Sequence, residues 1–150
     1  MLPSASVVVV NEAGEILLLQ RADTGHWSVP AGVVDPGEQP ADAAVRETYE
    51  ETGILIEVDR VAGVALHPVS YPNGDRCQYL NVWFHGRPVG GRPGSPDGEA
   101  LAVGWFPPDA LPEVNAFVRL RIDAVLSGDG ATWFARPGTH HEALTSDDGF

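Results

Sequence analysis

Lysine is absent from this 150-residue chain, and cysteine occurs once, as Cys77. A lone cysteine can close no internal disulfide and supply no cysteine-based zinc site, so burial rather than cross-linking must hold the fold. That usage suits a reducing compartment, and the expected location is the cytoplasm. No apolar run approaches the ~20 residues needed to cross a bilayer. Residues 1–10 also lack the basic start and the cleavage signal of a secretory leader, so neither membrane insertion nor export is expected. Positive charge is scarce too: nine basic residues, all arginine, face 21 carboxylates, for a formal net charge of −12. A surface of that sign repels a nucleic-acid polymer. A phosphate-bearing ligand should then be small, with bound divalent cations inverting the local field around it.

What is present reads as one α/β domain over residues 1–150, with a core from about Ser4 to about Arg136 and a loose C-terminal tail over 137–150. Ser6 to Val10 and Glu15 to Gln20 are apolar runs flanking the turn-like Asn11-Glu-Ala-Gly14, a pattern that predicts a hairpin. Ile54 to Leu66 and Cys77 to Gly86 predict a second antiparallel pair around Pro72-Asn73-Gly74-Asp75. Arg87 to Gly98, dense in Gly and Pro, reads as a mobile loop. Ala100 to Phe106 resumes strand character, and Leu111-Pro112-Glu113 introduces a helix to about Leu126.

Between these strands, Gln39 to Thr52 has Pro40 in its first turn and Gly53 just past its end, the asymmetry of a helix. At about 100° per residue, Ala41, Ala44, Val45, Thr48 and Thr52 fall on one small or apolar face, while Glu47, Glu50 and Glu51 fall together on the other. Carboxylates at such spacing repel one another by a few tenths of a kcal/mol per pair. A solvated helix face or a site for hard divalent cations would both account for them.

The flanking residues decide between the two. From Gly32 the chain runs Gly-Val-Val-Asp-Pro-Gly-Glu38-Gln-Pro-Ala-Asp-Ala-Ala-Val-Arg46-Glu47-Thr-Tyr-Glu50-Glu51-Thr-Gly53-Ile54. This resembles the Nudix box at every fixed position, with Thr48 standing where a larger apolar residue is usual. Trp27-Ser28-Val29-Pro30-Ala31 before it and Trp105-Phe106-Pro107 to Leu111-Pro112 after it are also similar to the family. The resemblance implies an α/β/α sandwich with a mixed β-sheet. It further implies cleavage, dependent on Mg²⁺ or Mn²⁺, of a nucleoside diphosphate linked to another group.

By the same resemblance, Glu47, Glu50 and Glu51 would bind metal or, for one of them, deprotonate the attacking water, and the carbonyl of Ala31 would complete the metal shell. Arg46 and Glu38 would form an ion pair orienting them. Gly32 and Gly53 would be backbone requirements, a close approach and a left-handed helix end. A further base or ligand from a loop is common in the family; Glu99 is the candidate, with Asp97 behind it. Arg21, Arg76 and Tyr71 are candidates for binding substrate phosphates and base. ADP-ribose or a related nucleotide sugar is the first substrate expected, from the Pro30-Ala31-Gly32 opening. Dinucleoside polyphosphates, suggested by Tyr71, and oxidised nucleoside triphosphates are the alternatives. A nucleotide sensor without catalysis is the competing class, and a homodimer fits the family.

Overall fold

The computed structural model describes residues 1–138 and the backbone of 144–145. Strand β1 (Leu2–Val9) is buried at every position from Ser4 onward, as a strand covered on both faces must be. It lies between β4 (Ala31–Val33), antiparallel through Ala5↔Gly32 and Ser6↔Ala31, and β6 (Arg76–Gly91), parallel through Leu2↔Tyr79 to Val9↔Gly86. β6 in turn pairs antiparallel with β5 (Ile54–Ser70). This mixed sheet is completed beyond β5 by β8 (Trp133–Phe134) and β9 (Leu144–Thr145), both parallel to it. A smaller antiparallel sheet has the order β3 (Trp27–Ser28), β2 (Ile16–Arg21), β7 (Ala100–Phe106).

Two helices cover the sheets. α1 (Pro40–Thr52) packs Ala43 and Ala44 against Ala5, Val7, Val9, Ile54, Ile56 and Phe84. α2 (Ala116–Leu126) packs Phe117, Val118, Ile122 and Val125 against Val8, Ala62, Ala65 and Trp83. β2 sends Leu17 to the first cluster and Ile16 and Leu18 to the second. Both sheets therefore stand between the helices, the α/β/α sandwich expected. No helix among the described residues is long and apolar enough to cross a membrane.

Several local expectations are corrected. β1 and β2 do not form a hairpin; apart from one bridge, Val10↔Ile16, they enter different sheets. The turn itself is present: Asn11 Oδ1 accepts from the N–H groups of Ala13 and Glu15. Both flanking runs are apolar at successive positions, so each strand needs neighbours and cover on all sides, which a two-stranded hairpin cannot supply. β6 continues to Gly91 instead of ending at Gly86, since Leu55↔Gly90 and Ile54↔Gly91 extend its pairing with β5. α2 starts at Ala116, because Asn115 caps it by accepting from the Val118 N–H at 2.8 Å. His140 and His141 lie outside the described residues.

Candidate active site

The helix that carries the acidic cluster is held at both ends by its own sequence. Pro40 opens it, and Gly53, at φ +74°, closes it with its N–H on the Tyr49 carbonyl at 2.8 Å. Two buried threonines replace apolar residues on the packed face. Thr48 Oγ donates to the Ala44 carbonyl at 2.6 Å and Thr52 Oγ to the Thr48 carbonyl at 2.5 Å, so neither hydroxyl is buried unsatisfied.

On the opposite side Arg46 gathers the carboxylates. Its Nε and Nη2 donate to the two oxygens of Glu38 at 2.9 and 3.0 Å, and its Nη1 reaches Glu47 at 2.8 Å and Glu50 at 3.4 Å. Nη2 also donates to the Val33 carbonyl at 3.2 Å and pairs with Asp35 at 3.5 Å. Glu38 is reachable because Asp35-Pro36-Gly37-Glu38 forms a turn, with the Glu38 N–H on the Asp35 carbonyl and the Asp35 N–H on Glu38 Oε1. Asp35 is a site residue that sequence reading missed, although its Asp-Pro-Gly turn is a legible signal. The Arg46 guanidinium holds the Glu38 carboxyl down to about 2. Glu47 is pushed upward by burial, against the pull of Arg46.

Glu51 differs from its neighbours. Some of the residue stays exposed, but its carboxyl group lies deep in the cleft, and burial pushes its pKa up to about 8. Its Oε1 accepts from the Ala31 N–H at 3.0 Å. Arg46 pairs with Asp35, Glu38, Glu47 and Glu50, whereas Glu51 has no ion-pair partner among the described residues. A deep carboxylate beside Glu47 without a cation of its own is a place where a hard divalent cation fits, and all the donors are oxygen. Among the described residues no three acidic, histidine or cysteine side chains stand together closely enough to hold a metal ion.

A cleft of about 490 Å³ is lined by Ala31, Gly32, Val33, Glu47 and Glu51 together with Arg21, Ser28, Asp97 and Glu99; Glu50 is not among its lining residues. Arg21 stands at its rim in a two-point pair with Asp23, at 3.0 and 2.7 Å, close enough to pull the Glu51 pKa downward. Glu99 is exposed, just ahead of β7. Tyr71 and Arg76 are not brought to this cleft. They flank the β5–β6 turn at the far end of the hairpin, where Tyr71 Oη meets Tyr79 Oη at 2.9 Å. Trp83 and Phe84, two aromatics whose rings could otherwise stack on a base, are buried in the two core clusters.

Gly32 is required by contact rather than by backbone angle, because a Cβ there would fall on the Glu47 carboxylate. Gly32→Ala should displace Glu47 and lower kcat/KM by roughly 10², the cost of an ångström-scale misplacement. Steady-state assays at saturating Mg²⁺ check this, and an unchanged kcat/KM would show that Glu47 can move without loss.

A NUDIX domain model matches residues 1–124. The chain is 38% identical over 138 residues to a MutT-like protein of Streptomyces ambofaciens, covering 91% of this chain and 84% of that one. It is 38% identical over 108 residues to a Bacillus subtilis (strain 168) protein provisionally named 8-oxo-dGTP diphosphatase, covering 72% and 68%. Among solved structures, an ADP-ribose pyrophosphatase of Streptococcus suis superposes with a TM-score of 0.67 at 25% identity, covering 96% of this chain and 98% of that one.

Proposed function

The chain belongs to the Nudix family of hydrolases, and from that membership we propose that its cleft cleaves the pyrophosphate linkage of a nucleoside triphosphate, with Mg²⁺ or Mn²⁺ as cofactor. The observation that carries the hydrolytic reading is Glu51: a carboxyl deep in the cleft, raised by burial, without an ion-pair partner among the described residues. A sensor that only binds nucleotide has no use for such a group. The cation would be held by Glu47, Glu50 and Glu51 with the Ala31 carbonyl, and when bound it neutralises phosphate oxygens and acidifies a water.

The chain's own residues do the rest. Arg46, pinned by Glu38, orients Glu47 and Glu50. Arg21 offers a guanidinium at the rim for a phosphate oxygen, once Asp23 yields it. Glu99 takes the proton of the attacking water or completes the cation shell. What supports a triphosphate substrate is the 38% identity to the Bacillus subtilis relative, whose name gives 8-oxo-dGTP. ADP-ribose is the second reading, supported by the Streptococcus suis neighbour.

The two readings separate in a panel of 8-oxo-dGTP, dGTP, ADP-ribose and UDP-glucose compared by kcat/KM with Mg²⁺. The expected result is a preference of about tenfold or more for a triphosphate, the ~1.4 kcal/mol of differential transition-state binding that one good contact supplies. Preference for ADP-ribose would install the second reading. Turnover of none of the four with either metal would sink the enzyme assignment.

A further inference from the structure

The segment after β6, expected from its Gly and Pro content to be part of a mobile loop, is bonded to the end of α1. The last carbonyls of a helix lack partners within it, and here the loop supplies them. The Asp97 N–H donates to the Glu50 carbonyl at 3.0 Å, the Gly94 N–H to that of Thr52 at 2.9 Å, and the Arg92 N–H to that of Gly53 at 3.2 Å. At its other end the Glu99 carbonyl accepts from the Ala22 N–H at 3.1 Å, next to Arg21. One stretch of backbone thus joins the helix of Glu50 and Glu51 to the end of β2 at Arg21.

Inside that stretch the bonds run through one hydroxyl. The Ala100 N–H donates to Ser95 Oγ at 3.1 Å, and Ser95 Oγ donates to Asp97 Oδ1 at 3.0 Å. The Glu99 N–H donates to the same Oδ1 at 3.0 Å, and the Gly98 N–H returns to the Ser95 carbonyl at 2.9 Å. Residues 97–100 line the cleft and Ser95 does not. We propose that Ser95 is a positioning residue: its hydroxyl, relayed through Asp97, latches the 92–99 segment to α1 and fixes where the Glu99 carboxylate stands. The inference rests on the reading of Glu99 as a reacting group.

Ser95 carries no charge and does not line the cleft, so its removal takes no charged group from it. In Ser95→Ala the Ala100 N–H loses its acceptor and Asp97 one of its two donors, while Ser95→Thr keeps the hydroxyl. The test combines amide hydrogen exchange on the intact protein with kinetics on the best substrate of the panel above. In Ser95→Ala the amides of Arg92, Gly94 and Asp97 should exchange about tenfold faster, and kcat should fall about tenfold with KM within about twofold, the scale of one hydrogen bond lost from a latch. Ser95→Thr should restore both. Placed on Glu99→Gln, Ser95→Ala should lower kcat no further, since both act through one carboxylate. Unchanged exchange in Ser95→Ala overturns the latch. Losses that multiply in the double variant overturn its action through Glu99. A silent Glu99→Gln sinks the reading of Glu99 itself, and is seen separately from the exchange result.

Discussion

Glu51→Gln is expected to lower turnover by roughly 10³, several kcal/mol at about 1.4 kcal/mol per decade, while making the metal-free protein harder to unfold. Both effects come from one placement. In the folded chain burial lifts the Glu51 carboxyl from 4.5 to about 8, so between those pH values the native state holds a proton that the unfolded chain has released. Stability of the metal-free protein therefore falls as pH rises from about 4.5 to about 8 and is fully present only below that window. The loss is on the order of 2–4 kcal/mol, given about 1.4 kcal/mol per pKa unit and partial relief by water and Arg21. Glutamine keeps the shape and the acceptor for the Ala31 N–H without the charge, so its unfolding free energy should be nearly flat over that range. Wild type should regain stability with Mg²⁺, about 2.7 kcal/mol at 100 times Kd, and the variant much less. Denaturant titrations with chelator at pH 5 and pH 8, repeated with Mg²⁺, measure all of this. Equal wild-type stability at the two pH values, or near-full activity in the variant, would defeat the assignment.

The parts legible in the sequence are those written in local signals. Pro40 and Gly53 mark the ends of α1, and Pro72 to Asp75 mark the β5–β6 turn, where the Gly74 N–H does return to the Tyr71 carbonyl. The spacing of Glu38, Arg46, Glu47 and Glu50 sets residues that one guanidinium then joins. Partner choice was less legible. Val7 to Val9 and Ile16 to Leu19 declare strands buried on both faces, yet an apolar run does not say which edge it meets. The helix wheel put Glu47, Glu50 and Glu51 on one face without showing that Arg46 would engage two of them and leave the third. Tyr71 and Arg76 were candidates by residue type, an aromatic for a base and a cation for phosphates, but a hairpin as long as β5–β6 carries its turn away from the cleft. Composition also misjudged 92–98. Gly and Pro there serve a loop whose N–H groups cap a helix, a role set by tertiary position.

Glu99→Gln is the second substitution expected to act strongly, lowering kcat by roughly 10²–10⁴, the scale of a lost general base. Its backbone is tied on both sides, the N–H to Asp97 Oδ1 and the carbonyl to the Ala22 N–H. Glu99 lines the same cleft as Glu47 and Glu51, and its carboxylate makes no hydrogen bond or ion pair among the described residues. A fixed backbone with an uncommitted carboxylate suits a group that must meet a water or a cation when substrate arrives. The two roles separate by metal dependence. As a base, Glu99 can be lost with Mg²⁺ affinity nearly intact, and excess metal will not restore kcat. As a ligand, its loss weakens Mg²⁺ binding, and kcat climbs back as metal is raised. Unchanged kcat with unchanged metal dependence would remove Glu99 from the chemistry and return proton abstraction to Asp97, Glu47 or Glu50. Of these, Glu47 and Glu50 are already bound to the Arg46 guanidinium, so Asp97 would be the next residue to substitute.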